Sequence, residues 1–210
     1  MFIKTVAILG GAFDPVHQDH LRLALQCLKL EYCDEVWFVP SPDRWDKNLI
    51  ASPEDRFNML RLAIQDTPKL VVSDVEINMP DYRGSYMLLQ HLQESHPQYR
   101  FRLVVGADSY KDIPHWRDPL HFYGTEYNGH LLLKDFELIV FSRKSYPKPD
   151  LKKHKAMGYA PLFWVGETQG FVGSLASTQI RKDFLHSREK PKGLPTEVYK
   201  YILEHHLYEH

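Results

Sequence analysis

The 210-residue chain carries 43% hydrophobic and 25% charged residues with a formal net charge of −1, a balance that suits a globular domain with a real core. It argues against nucleic acid or a membrane surface as partner, and no apolar run approaches the roughly 20 residues that span a bilayer. Two cysteines, Cys27 and Cys33, favour reduced thiols in a cytoplasmic setting over a disulfide framework.

The first predicted element is a strand, "KTVAIL" (4–9). No small-residue cleavage site follows it, so the apolar N-terminus reads as strand and not as signal peptide. A helix follows over 18–30, with Leu21, Leu25 and Leu28 at helical spacing. Strands at "EVWFVP" (35–40) and "KLVVSDV" (69–75) flank a second helix over 53–66. Ser52 is its N-cap, Pro53 its first residue, and Phe57, Leu60 and Ile64 its apolar stripe. A third helix spans 85–95, with Ser85 as cap. Further strands are "RFRLVVG" (100–106), "ELIVFSR" (137–143) and "PLFWVG" (161–166). Between them, "HFYGTEYNGHLLLKDF" (121–136) breaks the rhythm as a surface insertion, and the basic "RKSYPKPDLKKHK" (143–155) is a solvated loop. After 173 the chain turns helical, with Pro195 and Thr196 opening an amphipathic last helix.

Strands alternating with amphipathic helices predict an α/β protein. Near-continuous apolar strands predict a parallel sheet covered on both faces. Right-handed crossovers then give a doubly wound, Rossmann-like sheet with a C-terminal helical segment. One domain over 1–210 is expected, with 173–210 as its helical part.

Behind the first strand stands "GGAFDPVHQDH" (10–20). Gly10 and Gly11 fall at the carboxyl end of a strand, where open parallel sheets bind ligands, and the absence of Cβ lets backbone approach a ligand. A helix beginning near Val16 would offer free N–H groups to a phosphate, and His17 and His20 would share a face of its first turn. The spacing matches neither the dinucleotide fingerprint nor a Walker loop. Taken alone, the pair also suits surface or metal-binding roles, although zinc would need a third ligand and nothing nominates one. No protein-bound metal is therefore expected.

The stretch closely resembles the G-G-x-F-D-P-x-H-x-G-H signature of bacterial nicotinate mononucleotide adenylyltransferases, in the nucleotidyltransferase superfamily. "GADSYKDIPHWRD" (106–118), "FSRKSYPKP", "GSLASTQIRKDF" and "LPTEVYKYILEHHLY" are similar to further segments of that family, in the same order. The resemblance implies transfer of AMP from ATP to nicotinate or nicotinamide mononucleotide, with Mg²⁺ bound to the ATP. It assigns catalysis to His17, His20, Lys47 and Arg181. Gly10, Gly11, Phe13, Gly106, Asp108, Ser177 and Thr178 would bind ATP. Tyr86, Met87 and Trp116 would meet the pyridine mononucleotide, with core packing as the alternative for the aromatics. A homo-oligomer is left open.

This chain departs from the family at Asp19, where glycine is usual, at Asp46, where histidine is usual, and at Met87, where threonine is usual. Asp19 would either set an anion beside the triphosphate or sit benignly in the helix's first turn. The alternatives are phosphopantetheine or cytidylyl transfer, and a nucleotide-sensing pseudoenzyme, which Asp19 favours.

Overall fold

In the computed structural model, which describes residues 3–43, 49–79, 84–117, 123–124, 126–171, 173–187 and 189–209, the predicted strands assemble into one sheet. They are β1 (Lys4–Gly11), β2 (Glu35–Pro40), β3 (Leu70–Val72), β4 (Tyr99–Gly106), β5 (Glu137–Phe141) and β6 (Leu162–Val165). Their order is β3-β2-β1-β4-β5-β6, and every pairing is parallel. The strand order reverses between β1 and β4, which opens a crevice at their carboxyl ends.

Successive side chains of a strand point to opposite faces, and β1 shows why the strands read as unbroken apolar runs. Ala7 and Leu9 enter one core while Val6 and Ile8 enter the other. The first core is closed by α1 (Gln18–Lys29), α2 (Pro53–Ile64), α8 (Ser177–Ser187) and α9 (Thr196–Glu204). The second is closed mainly by α4 (Ser85–Ser95) and α6 (Gly129–Asp135). Short helices α3 (Val75–Asn78), α5 (Ala107–Tyr110) and α7 (Leu151–Ala156) complete the connections.

Several expectations are corrected. α1 buries Leu23, Ala24 and Cys27, while Leu25 is 47% exposed. Leu21 and Leu28 pack against the same core as expected, so of the predicted stripe only Leu25 turns outward. The segment before β5 is a packed helix, α6, with Gly129, Leu132 and Leu133 buried. The basic stretch contains α7, because the Asp150 side chain caps it by accepting the Lys152 and Lys153 N–H groups at 3.0 Å each. His154 is buried there, within 2.8 Å of the Tyr110 hydroxyl and 2.7 Å of the Ala160 carbonyl. Cys27 and Cys33 are free and buried. Among the described residues no helix is long and apolar enough to cross a membrane.

Candidate active site

β1 ends in Gly10 and Gly11, and the chain turns through Phe13 towards α1. Phe13 takes a left-handed backbone, φ 52°, which is costly for an aromatic residue. Its ring meets Phe38 and His20 edge-on, with centres 5.7 Å and 5.0 Å away. His17 is the N-cap of α1, and its imidazole stacks on His20 with ring centres 3.7 Å apart. The His17 N–H donates to His20 Nδ1 (3.2 Å), so a neutral His20 carries its proton on Nε2. Burial pushes His17 down to about 4, with the Arg143 charge adding to the fall and Asp19 opposing it. Burial, His17 and Arg143 together push His20 well below the usual imidazole range. Both rings are therefore neutral at pH 7 in the free protein.

Two buried charged residues brace this loop from behind. Asp14, 1% exposed, accepts the N–H groups of Ile50 (2.9 Å) and Ala51 (3.2 Å) and the Tyr208 hydroxyl (2.6 Å). Arg56 donates to the carbonyls of Ala12 (2.9 Å), Ser41 (2.7 Å) and Ala51 (3.2 Å). A rigid guanidinium fork thus ties the loop after β1 to the loop after β2.

The other wall comes from α8 and from the ends of β4 and β5. Ser177 Oγ donates to the Pro15 carbonyl (2.9 Å). The Arg181 guanidinium donates to the Asp14 carbonyl and lies 3.4 Å from its carboxylate. At the end of β4, a Cβ on Gly106 would lie 2.1 Å from Asp108 Oδ1, so the carboxylate's position demands glycine. Arg143 Nε stands 3.8 Å from the same oxygen.

These residues enclose a cavity of about 610 Å³ at the switch point of the sheet, a size suited to a small-molecule ligand. His17, Ser41, Asp108 and Arg143 line it. Each brings a buried polar atom without a hydrogen-bond partner, respectively Nδ1, Oγ, Oδ1 and Nε. Buried polar atoms are nearly always paired, so four around one cavity mark where a polar ligand completes the bonding.

Gly10, Gly11, Phe13, His17, His20, Gly106, Asp108, Trp116, Ser177, Thr178 and Arg181 all line this cavity. Tyr86 is not among the residues that line it. It is 6% exposed, its ring packs edge-on against Tyr123 and Phe136 at 4.9 Å and 6.0 Å, and its hydroxyl donates to Asp135 (2.6 Å). Met87 is half-buried on α4 and is likewise not part of the cavity wall. Lys47 and Asp46 lie outside the described residues. The free helix amides expected near Val16 are also corrected. α1 begins at Gln18, whose N–H donates to the Gly193 carbonyl (2.8 Å), while the His17 N–H is taken by His20.

Asp19 is buried and turned towards the loop before α8. Its Oδ2 accepts the N–H groups of Ser174 (2.6 Å) and Leu175 (2.8 Å), and its Oδ1 pairs with Arg22 (3.1 Å). Sequence reasoning did not single out Ser41, Glu76 or Arg143, all of which line the cavity. The signal for Arg143 was its place just past β5, where such sheets bind ligands. Glu76 was hidden because the turn from β3 into α3 went unseen.

The cytidylyltransferase-like family model matches residues 8–183 of the chain. A Clostridium botulinum (strain Loch Maree / Type A3) protein named "Probable nicotinate-nucleotide adenylyltransferase" is 30% identical, over 96% of this chain and 98% of its own length. A Clostridium tetani protein of the same name is 27% identical over 98% of this chain and 100% of its own. In fold, the chain is similar to the Plasmodium falciparum nicotinic acid mononucleotide adenylyltransferase complexed with NaAD, with a TM-score of 0.77 at 22% identity over 98% of each chain.

Proposed function

The chain belongs to the cytidylyltransferase-like family and, within it, to the nicotinate-nucleotide adenylyltransferases, and from that premise we propose that it transfers AMP from ATP to nicotinate mononucleotide, forming deamido-NAD and releasing pyrophosphate. The observation that carries this reading is the set of buried polar atoms without a hydrogen-bond partner around one cavity at the switch point, His17 Nδ1 and Ser41 Oγ beside the long Asp108–Arg143 ion pair.

An oxygen of the mononucleotide 5′-phosphate attacks the α-phosphorus of ATP, and the bond to the pyrophosphate oxygen breaks on the opposite side. No protein nucleophile is needed, so the protein positions the phosphates and neutralises their charge. Gly10 and Gly11 leave the backbone open to the phosphates. His17 and His20 donate N–H groups to oxygens that gain charge, and the arriving triphosphate raises their affinity for protons. Ser177, Thr178 and Arg181 at the start of α8 serve the β- and γ-phosphates. Asp108 accepts ribose hydroxyls, Trp116 packs on the pyridine mononucleotide, and Lys47 reaches the phosphates as the family resemblance implies. Mg²⁺ would arrive with the ATP substrate and would offset part of the charge on its phosphates. The two free, buried thiols support a cytoplasmic setting.

The test is to mix purified protein with ATP, Mg²⁺ and nicotinate mononucleotide and measure pyrophosphate. Catalytic release is expected. Release with CTP but not ATP would replace this reading with cytidylyl transfer, and tight ATP binding without turnover would favour a sensor. Asp19, the residue that favoured a sensor, is turned towards the α8 loop and is not part of the cavity wall.

A further inference from the structure

The loop before α8 must be held in place, because α8 brings Ser177, Thr178 and Arg181 to the cavity that α1 supplies with His17 and His20. Leu175 and Ala176, in that loop, line the same cavity. We propose that Asp19 is a positioning residue that locks the entrance of α8 onto the first turn of α1, so that both sets of donors meet one triphosphate in register. The proposal rests on the adenylyl-transfer reading.

Asp19 is 4% exposed, and a carboxylate removed from water needs strong partners. It has two backbone N–H groups, from Ser174 at 2.6 Å and Leu175 at 2.8 Å. Bonds to an ionised acceptor are about twice as strong as neutral ones, and these two join residues 155 and 156 positions apart. The neutral Ser177-to-Pro15 bond and the Arg181 contacts with Asp14 tie α8 itself to the stretch before α1, whereas among the described residues Asp19 alone holds the Ser174 and Leu175 amides of the loop. Leu175 is gripped from its side chain as well. A Cβ on Gly193, whose φ is +83°, would lie 2.4 Å from Leu175 Cδ1, and the Gly193 carbonyl takes the Gln18 N–H. The circuit closes from α1 through the α8 loop and residue 193 back to α1. A glycine at 19 has no side chain with which to make this link.

The test is steady-state pyrophosphate release by Asp19→Gly, Asp19→Asn and Arg22→Ala, with each substrate varied. Ser177, Thr178 and Arg181 would hold the β- and γ-phosphates, so displacing α8 weakens ATP binding in ground and transition states alike. Asp19→Gly should therefore lower kcat/KM for ATP by more than roughly tenfold, mainly through KM, with a smaller change in KM for the mononucleotide. Asp19→Asn keeps an acceptor oxygen and should stay within about tenfold of wild type, near 1.4 kcal/mol. Arg22→Ala removes a partly exposed guanidinium from buried Asp19 but leaves both backbone bonds to the α8 loop in place, and should stay within about fivefold. A glycine variant within tenfold, an equal rise in both KM values, or an asparagine variant no better than glycine would overturn the proposal. So would an Arg22→Ala loss as large as that of glycine. Amide hydrogen exchange in the wild-type protein checks the link without turnover or a variant. Ser174 and Leu175 should exchange at least about tenfold more slowly than unstructured amides, and exchange at the unstructured rate would also overturn it. A wild-type protein that releases no pyrophosphate counts against the adenylyl-transfer reading alone.

Discussion

Two stacked neutral imidazoles make a donor pair whose charge arrives with its ligand. Removing one preorganised donor typically costs about 10²-fold or more in kcat. His17→Ala and His20→Ala should each show that loss in pyrophosphate release, with far-ultraviolet circular dichroism unchanged. Type and spacing drew attention to the histidines and glycines at the strand end, and the family resemblance implied their roles. The direction of Asp19 was not legible, because its partners Ser174 and Leu175 lie more than 150 residues away. The packing of Tyr86 was not legible for a related reason. An aromatic beside a helix start reads equally well as ligand platform or core, and only packing against Tyr123 and Phe136 decides between them. Its neighbour Met87 is also absent from the cavity wall. A site discriminates through the groups that touch the substrate, so Met87→Thr should leave the ratio of kcat/KM for nicotinate and nicotinamide mononucleotides within about twofold of wild type. Measuring both constants in both chains decides it.

At the scale of elements, the strands were readable because each is buried on two faces and its apolar run is nearly continuous. α7 was not readable, since a basic, proline-bearing stretch hides the Asp150 cap that starts it. The segment after α9 shows how an element end can serve the site. Tyr208, 4% exposed, donates to Asp14, which also holds Arg181 and the Ile50 and Ala51 amides. A hydrogen bond to a charged group contributes about 1.5–3 kcal/mol. Tyr208→Phe should lower the thermal midpoint accordingly, by roughly 2–4 °C for each kcal/mol lost. It should also reduce kcat/KM for ATP, because Asp14 then holds Arg181 less firmly. An unchanged melt would show that Asp14 does not depend on this hydroxyl.

For the whole molecule, the neutral histidines couple folding to acidity. An unfolded chain takes up a proton at histidine near pH 6.5, whereas folded His17 resists protonation down to about 4, and His20 is shifted in the same direction. Above pH 6.5 neither state binds these protons, and the histidines add no slope. Between roughly 6.5 and 4 the unfolded state binds more protons, so stability falls as pH falls. Thermal melts across that window should show the decline, and a His17→Gln, His20→Gln double variant should flatten it. Saturating MgATP should oppose the decline, because the bound anion makes the charged imidazoles favourable.

The bond between Asp14 and Tyr208 spans 194 positions, and the ties from Asp19 to the α8 loop span almost as many. A ribosome delivers the sheet first and these closing segments last. Domains can begin to fold during synthesis, and all six strands have emerged by Val165. The arm that would grip a triphosphate is completed only when α8 and the stretch to Tyr208 follow. Ile180, Phe184, Val198 and Ile202 of α8 and α9 also close the first core, so the segments that would grip ATP are the same ones that complete the packing of the sheet.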